Sequence, residues 1–158
     1  MSGKNTDSAE VNFNPLKVFV ISLCVAFFLG EIYNFYLPLH LAFKFFGFFI
    51  IFFCIILFTY CVRIFLHHKE SLPPSSPTHK IIKTGIYLYT RNPIYICFVC
   101  FQFGMFMLFG NFIYLLSSII LFFWIHFQVV LKEEEYLEKK FTDIYERYKE
   151  NVPRWIIW

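Results

Sequence analysis

Two polar stretches hold most of the side chains in this sequence that could do chemistry. The first, KTGIYLYTRNPIY at residues 83–95, sets Gly85, Tyr87, Arg91 and Tyr95 just ahead of an apolar run. The second opens on the consecutive Glu133, Glu134 and Glu135 and closes on Val152, Pro153 and Arg154. An arginine is a permanent cation whose planar fork of donors fits a carboxylate. Carboxylates accept from hydroxyls and attract ammonium or other cations. Tyrosines add flat apolar faces with a polar tip. Asn92 precedes Pro93, which favours extended backbone at 92 and a helix start at 93, so Arg91 is held at the mouth of that helix. Gly85 permits a positive φ or a close backbone approach.

Helical geometry separates the three glutamates. Leu137, Phe141, Ile144 and Tyr148 fall at i, i+4, i+7 and i+11, the signature of an amphipathic helix. Extended backwards at about 100° per residue, that stripe passes through Glu134, Glu133, Val130 and His126, while Glu135 points away. Glu135 has Lys139 at i+4 and Asp143 has Arg147, and both are expected as solvated pairs. Glu133 and Glu134 have no such partner, and an unpaired carboxylate at a membrane edge is costly. A basic loop residue, a hydroxyl-rich ligand or a cation would compensate; the alternative is three glutamates solvated just past a membrane exit. The same residue types also suit an interfacial belt, with Arg91 snorkelling and the tyrosines among headgroups.

The elements that must position these groups are apolar. Of 158 residues, 58% are hydrophobic and 16% charged, and 24 are Phe. Soluble domains carry about 25% charged residues, so lipid is the expected solvent for much of this surface. The net charge of +3 does not point to nucleic acid as a partner. Apolar runs cover residues 16–37, 45–66, 94–109 and 112–131, against the roughly 20 residues that a spanning helix needs. Only Gly110 and Asn111 separate the last two, which predicts a tight hairpin. The expected fold is an all-α integral membrane protein: four transmembrane helices, a short hairpin between the third and fourth, and an amphipathic cytoplasmic C-terminal helix.

The chain reads as a single membrane domain, residues 1–158. It comprises a polar N-terminal tail (1–15), the first two spans (16–66), a Pro/Ser linker (67–80) and the region with both polar stretches (81–158). Pro73, Pro74 and Pro77 keep the linker from forming helix. Arg63, Lys69, Lys80, Lys83 and Arg91 follow the second run, and Lys132, Lys139, Lys140, Arg147, Lys149 and Arg154 follow the fourth. Lys44 alone stands in the first connection, so both termini are expected in the cytoplasm. The start lacks the basic segment and cleavage site of a signal peptide. Tyr33, Tyr36, Trp155 and Trp158 stand where interfacial aromatics belong. Cys24, Cys54, Cys61, Cys97 and Cys100 read as small membrane-buried side chains. Cys97-x-x-Cys100 has no second Cys or His pair at zinc spacing, so no metal is expected. Gln102 and Gln128 are expected as interhelical hydrogen-bonders and Glu31 as an interfacial residue. His126 reads as a site group or a satisfied buried polar.

The two stretches resemble those of membrane methyltransferases of the isoprenylcysteine carboxyl methyltransferase and phospholipid methyltransferase type. Thr84 and the spacing G-x-Y-x-x-x-R-[HN]-P-x-Y are met by Gly85, Tyr87, Arg91, Asn92, Pro93 and Tyr95. The second motif, E-E-x-x-L-x-x-x-F-G-x-x-Y-x-x-Y-x-x-x-V-P-R, is met by Glu133, Glu134, Leu137, Phe141, Tyr145, Tyr148, Val152, Pro153 and Arg154. Thr142 and Cys97 stand where that family commonly has Gly, Ile157 where it has Pro, and Asn92 where the eukaryotic enzymes have His. The resemblance covers about half the chain, from Ile82 onward.

The resemblance implies S-adenosylmethionine as methyl donor, held without a Rossmann motif by Gly85, Tyr87, Arg91, Tyr95, Glu133 and Glu134. It makes 81–158 the cofactor-binding catalytic region, with Arg91, Glu134 and Arg154 as catalytic candidates. Arg154 would position an acidic group of the substrate or contact lipid headgroups. The acceptor would be lipid-tailed and reach the site from the bilayer, presenting an isoprenylcysteine-type carboxylate or a phospholipid amine. Two other readings stand beside it. One is an NADPH-dependent membrane reductase, whose known examples are much longer. The other is a four-span transporter or scaffold using Glu31 as coupling acid, which leaves the motif spacing unexplained.

Overall fold

A computed structural model describes residues 7–11 and 13–156. Ile157 and Trp158 lie outside the described residues, as do residues 1–6 and 12 of the polar tail. The fold is helical: α1 (Pro15–Tyr33), α2 (Leu41–His68), α3 (Pro93–Phe109), α4 (Phe112–Ile125) and α5 (Leu131–Asn151). A π-helical turn, His126–Val130, joins α4 to α5 so that Phe112–Asn151 runs as one 40-residue helix. Three helices are long and apolar enough to cross a membrane: α1, α2 and this composite one. At 17 residues, α3 is the shorter apolar helix.

Helix ends follow local chemistry more than the limits of the apolar runs. Pro15 opens α1, and the Asn14 side chain accepts from the Leu16 N–H at 2.9 Å. The run expected to reach residue 37 stops as helix at Tyr33, because Asn34 takes the left-handed conformation (φ 47°) and closes the helix. Asn is among the few residues that tolerate that region. Helix α2 outruns its apolar segment at both ends, from Leu41 through His68, and Lys69 (φ 56°) caps it.

The bundle is held by close approach and by a few internal polar contacts. Gly47 of α2 faces Gly104 of α3, where a Cβ on Gly47 would come within 2.7 Å of the Gly104 carbonyl oxygen and the Leu108 nitrogen. Small residues at such a crossing let helix backbones meet, which suits association in lipid. Phe19 of α1 stacks on Phe98 of α3 at 4.7 Å. The Gln102 amide donates to the Ser22 hydroxyl at 2.6 Å, joining α3 to α1 as expected. Gln128 instead faces outward and accepts from Lys132 of its own helix at 3.5 Å, since the π turn buries Val129 and Val130 and leaves residue 128 outside. Phe27, Phe28, Phe45, Phe46, Phe48, Phe49, Phe52 and Phe53 are exposed, forming an aromatic outer surface on α1 and α2.

The non-helical segments gather at opposite ends of the bundle. At one end the 34–40 loop docks on the Gly110–Asn111 turn: Leu37 N–H donates to Gly110 O at 2.7 Å and Phe112 N–H to Phe35 O at 2.9 Å. Gly110 has φ 72°, and the Leu37 carbonyl lies too close for any side chain there. At the other end lie residues 13–16, the linker, the start of α3 and all of α5. The bonds at the first end pair backbone polar groups of the 34–40 loop and the turn with one another.

Inside α5, Thr142 has φ 38° and ψ −116°, which kinks the helix. This changes the phase of the stripe read from the sequence. Ile144, expected on the buried face, is 57% exposed, while Tyr145 is 2% exposed and Tyr148 is buried. The Glu135–Lys139 pair forms at 2.6 Å. The expected Asp143–Arg147 pair is not among the ion pairs of the described residues; both residues are exposed just past the kink, where such a pair gains little.

Two stability measurements follow. Gly47→Ala places its new methyl against backbone that cannot swing aside, and should destabilise the detergent-solubilised protein by about 1–3 kcal/mol. An unchanged melting temperature would contradict the α2–α3 crossing. Thr142→Gly relieves a β-branched residue held at positive φ, and should raise stability by about 1 kcal/mol. A fall would contradict the kink.

Candidate active site

Both polar stretches meet at one end of the bundle around a cavity of about 210 Å³. The linker contributes Glu70 and residues 71–74 to its wall, α3 and the turn before it contribute Tyr87, Arg91 and Tyr95, and α5 contributes Glu133, Glu134 and Tyr145. Phe58, Phe65 and Phe98 form apolar parts of the lining. Over this end lies the segment 7–11: the Tyr136 hydroxyl of α5 donates to the Asp7 carbonyl at 3.1 Å and accepts from the Thr78 N–H of the linker at 3.3 Å.

Glu134 is the centre of the arrangement. Its side chain is 8% exposed and is gripped by two arginines. Arg154 donates through Nε at 3.0 Å and Nη2 at 2.7 Å, one to each carboxylate oxygen. Arg91 Nη1 stands 3.0 Å from Oε1 with its side chain 10% exposed. That contact is an ion pair without hydrogen-bond alignment, so Arg91 Nε and Nη1 are buried donors with no hydrogen-bond partner among the described residues. Buried donors left in this state are costly and call for an acceptor.

Glu133 has a different environment. The Tyr95 hydroxyl donates to its carboxylate at 2.9 and 3.0 Å, and no cation is paired with it among the described residues. Glu133 lies beyond the apolar stretch that ends at Leu131. Burial pushes its carboxyl up to about 7, the Tyr95 hydrogen bond opposes that shift, and Glu134 adds to it. Two neighbouring carboxylates are thereby divided: one is locked between arginines, the other is free to meet a cation or a hydroxyl.

The backbone stitches the two stretches together. Arg91 N–H donates to Pro153 O at 3.0 Å, and the Asn92 amide and Thr90 hydroxyl donate to Arg154 O at 2.9 and 3.3 Å. The Tyr148 hydroxyl donates to Tyr87 O at 2.7 Å, and Lys83 Nζ to Ile144 O at 2.9 Å. Tyr145, Tyr148 and Val152 pack with Ile81, Leu137 and Phe141 beneath these bonds.

Five of the residues singled out from the sequence therefore share one cavity: Tyr87, Arg91, Tyr95, Glu133 and Glu134. Two do not. Gly85 (φ 61°) starts the 3₁₀ turn Gly85–Leu88 and packs on α2, where a Cβ would stand 2.5 Å from the Tyr60 hydroxyl. It permits that approach and does not line the cavity. Arg154 also lies outside the lining, spending its donors on Glu134. His126 is a satisfied polar group: the Trp155 indole N–H points to its Nδ1 at 3.4 Å, and its ring stacks on Phe122. Sequence reasoning missed Glu70 and the apolar lining. A lone carboxylate among prolines and serines gives no periodic signal, and Phe58 and Phe98 look like every other Phe in a span.

A family model described as phospholipid methyltransferase matches residues 39–144, well over half of the chain. A protein of Schizosaccharomyces pombe called Protein-S-isoprenylcysteine O-methyltransferase is 43% identical over 77 residues, which cover 48% of this chain and 32% of that protein. The shared stretch is thus about a third of that relative's length. No solved structure matches. The spacing of both polar stretches, their convergence on one cavity and the family match lead to one conclusion: this chain belongs to the phospholipid methyltransferase family.

Proposed function

We propose that this chain is an S-adenosylmethionine-dependent methyltransferase that works in the membrane on a lipid-tailed acceptor. Four spans with both termini cytoplasmic would put the cavity at the inner face, within reach of a soluble cofactor and a bilayer substrate. The observation that carries the reading is one cavity lined both by Arg91, whose Nε and Nη1 make no aligned hydrogen bond among the described residues, and by Glu133. A ligand that carries a carboxylate beside positive charge answers both. When bound, S-adenosylmethionine supplies an electrophilic methyl carbon whose leaving group departs as a neutral thioether.

The chain's own part is to bind, orient and keep water out. Arg91 would hold the cofactor's carboxylate, and Glu133, held by Tyr95, would face its ammonium or sulfonium charge. Glu134 and Arg154 are positioning residues that fix Arg91 from behind. Phe58, Ile94 and Phe98 supply the dry side on which an acceptor's nucleophile would be aligned, and alignment is the larger share of what such a reaction needs. The family's description favours a phospholipid amine as acceptor and the S. pombe relative's name an isoprenylcysteine carboxylate; both are lipid-tailed.

Binding of labelled S-adenosylmethionine to the protein in lipid nanodiscs tests this. Arg91→Ala should weaken binding at least tenfold, since it removes charged hydrogen bonds, and Glu133→Gln should weaken it by about tenfold. Glu134→Ala strands the buried guanidinium of Arg91 and releases the part-exposed Arg154, and should cost about 3 kcal/mol of stability. Unchanged affinity in a folded Arg91→Ala protein would refute the reading. So would oxidation of NADPH without methyl transfer when lipid extracts are supplied.

The titration of Glu133 sets a pH dependence. Its carboxylate form meets the cation, so affinity should fall as pH drops through about 7. Glu133→Gln should flatten that profile, and an equal slope in both proteins would move the effect elsewhere.

A further inference from the structure

The linker carries a buried carboxylate that the proposed reading does not use. Glu70 follows the end of α2, its N–H bonded to Phe65 O at 3.0 Å. Its side chain is 4% exposed, and it lines the same cavity as Arg91 and Glu133. One oxygen, Oε2, accepts the His79 N–H at 3.1 Å and stands 3.7 Å from the mostly exposed His79 ring. The other, Oε1, has no hydrogen bond among the described residues. That second oxygen is free to accept a donor from whatever fills the cavity.

Resting on the proposed function, we infer that Glu70 accepts hydrogen bonds from the ribose hydroxyls of the bound nucleoside. Arg91, just ahead of α3, and Glu133, on α5, account for the charged, amino-acid end of such a ligand. Glu70 sits on the linker wall, beside Phe65, Tyr87 and Leu72, which offer apolar surface for a flat base. A carboxylate paired with a vicinal diol is a recurring solution for ribose, because both hydroxyls are donors and the carboxylate has four acceptor sites. The linker is then more than a connection: ligand binding would fix residues 70–74 against the helices.

The test compares S-adenosylmethionine with 5′-methylthioadenosine, which keeps the nucleoside and lacks the amino acid, by direct binding in nanodiscs. Glu70→Gln retains a carbonyl for the His79 N–H, so the melting temperature should hold while affinity for both ligands falls about tenfold. Arg91→Ala should weaken S-adenosylmethionine alone. If Glu70→Gln leaves both affinities unchanged, or weakens S-adenosylmethionine only, the inference is overturned. Should Glu70→Gln fail to fold, the unsubstituted protein decides: 2′,3′-dideoxy-5′-methylthioadenosine should bind about tenfold more weakly than the parent nucleoside, and equal binding would overturn the inference. Failure of the unsubstituted protein to bind S-adenosylmethionine would take down the proposed function as well, which separates the two failures.

Discussion

One buried carboxylate organises this end of the molecule. Glu134 stands at 8% side-chain exposure between two guanidinium groups, one from the start of α3 and one from the C-terminal tail. Removing a carboxylate from water is costly, and only good geometry offsets that cost. The paired donors of Arg154 provide it. Arg91 adds its charge 3.0 Å from the same carboxylate without an aligned hydrogen bond, and the pair holds it at the cavity wall. An ion triad of this kind is a locating device: it fixes where a cation sits and which side of it faces the cavity.

The rest of the arrangement depends on that register. Carbonyls of Pro153 and Arg154 accept from residues 90–92, and Tyr148 returns a bond to Tyr87 O. These contacts join segments about sixty positions apart and close the cavity on its helical side. The remaining sides come from the linker and the start of α1, so the pocket is built from every part of one bundle end. Far from the site, the Gly47–Gly104 crossing sets how closely α2 approaches α3.

Much of this was legible in the sequence, for identifiable reasons. The spacing of Tyr87, Arg91 and Tyr95 against Glu133 and Glu134 reflects a real shared cavity, and the stripe through Val130 correctly carries Glu134 inward, where both residues are buried. What could not be read depends on backbone breaks and on tertiary partners. The φ of 38° at Thr142 exchanges Ile144 for Tyr145 on the buried face, which no fixed 100° period foresees. Asn34 ends α1 inside an apolar run because one residue adopts the left-handed region. Arg154 matches its motif position yet spends its donors on Glu134, and Gly85 serves the packing of α2; residue type alone does not separate such roles from ligand contact.

The central claim is that Arg91, fixed by Glu134, meets the carboxylate of the methyl donor. The most direct measurement pairs a change in the protein with a change in the ligand: affinities of the unsubstituted protein and of Arg91→Ala for S-adenosylmethionine and for its decarboxylated form. The account predicts that loss of the ligand's carboxylate weakens binding at least tenfold in the unsubstituted protein and hardly at all in Arg91→Ala. An equal penalty in both proteins would show that the carboxylate is held elsewhere and would contradict the account.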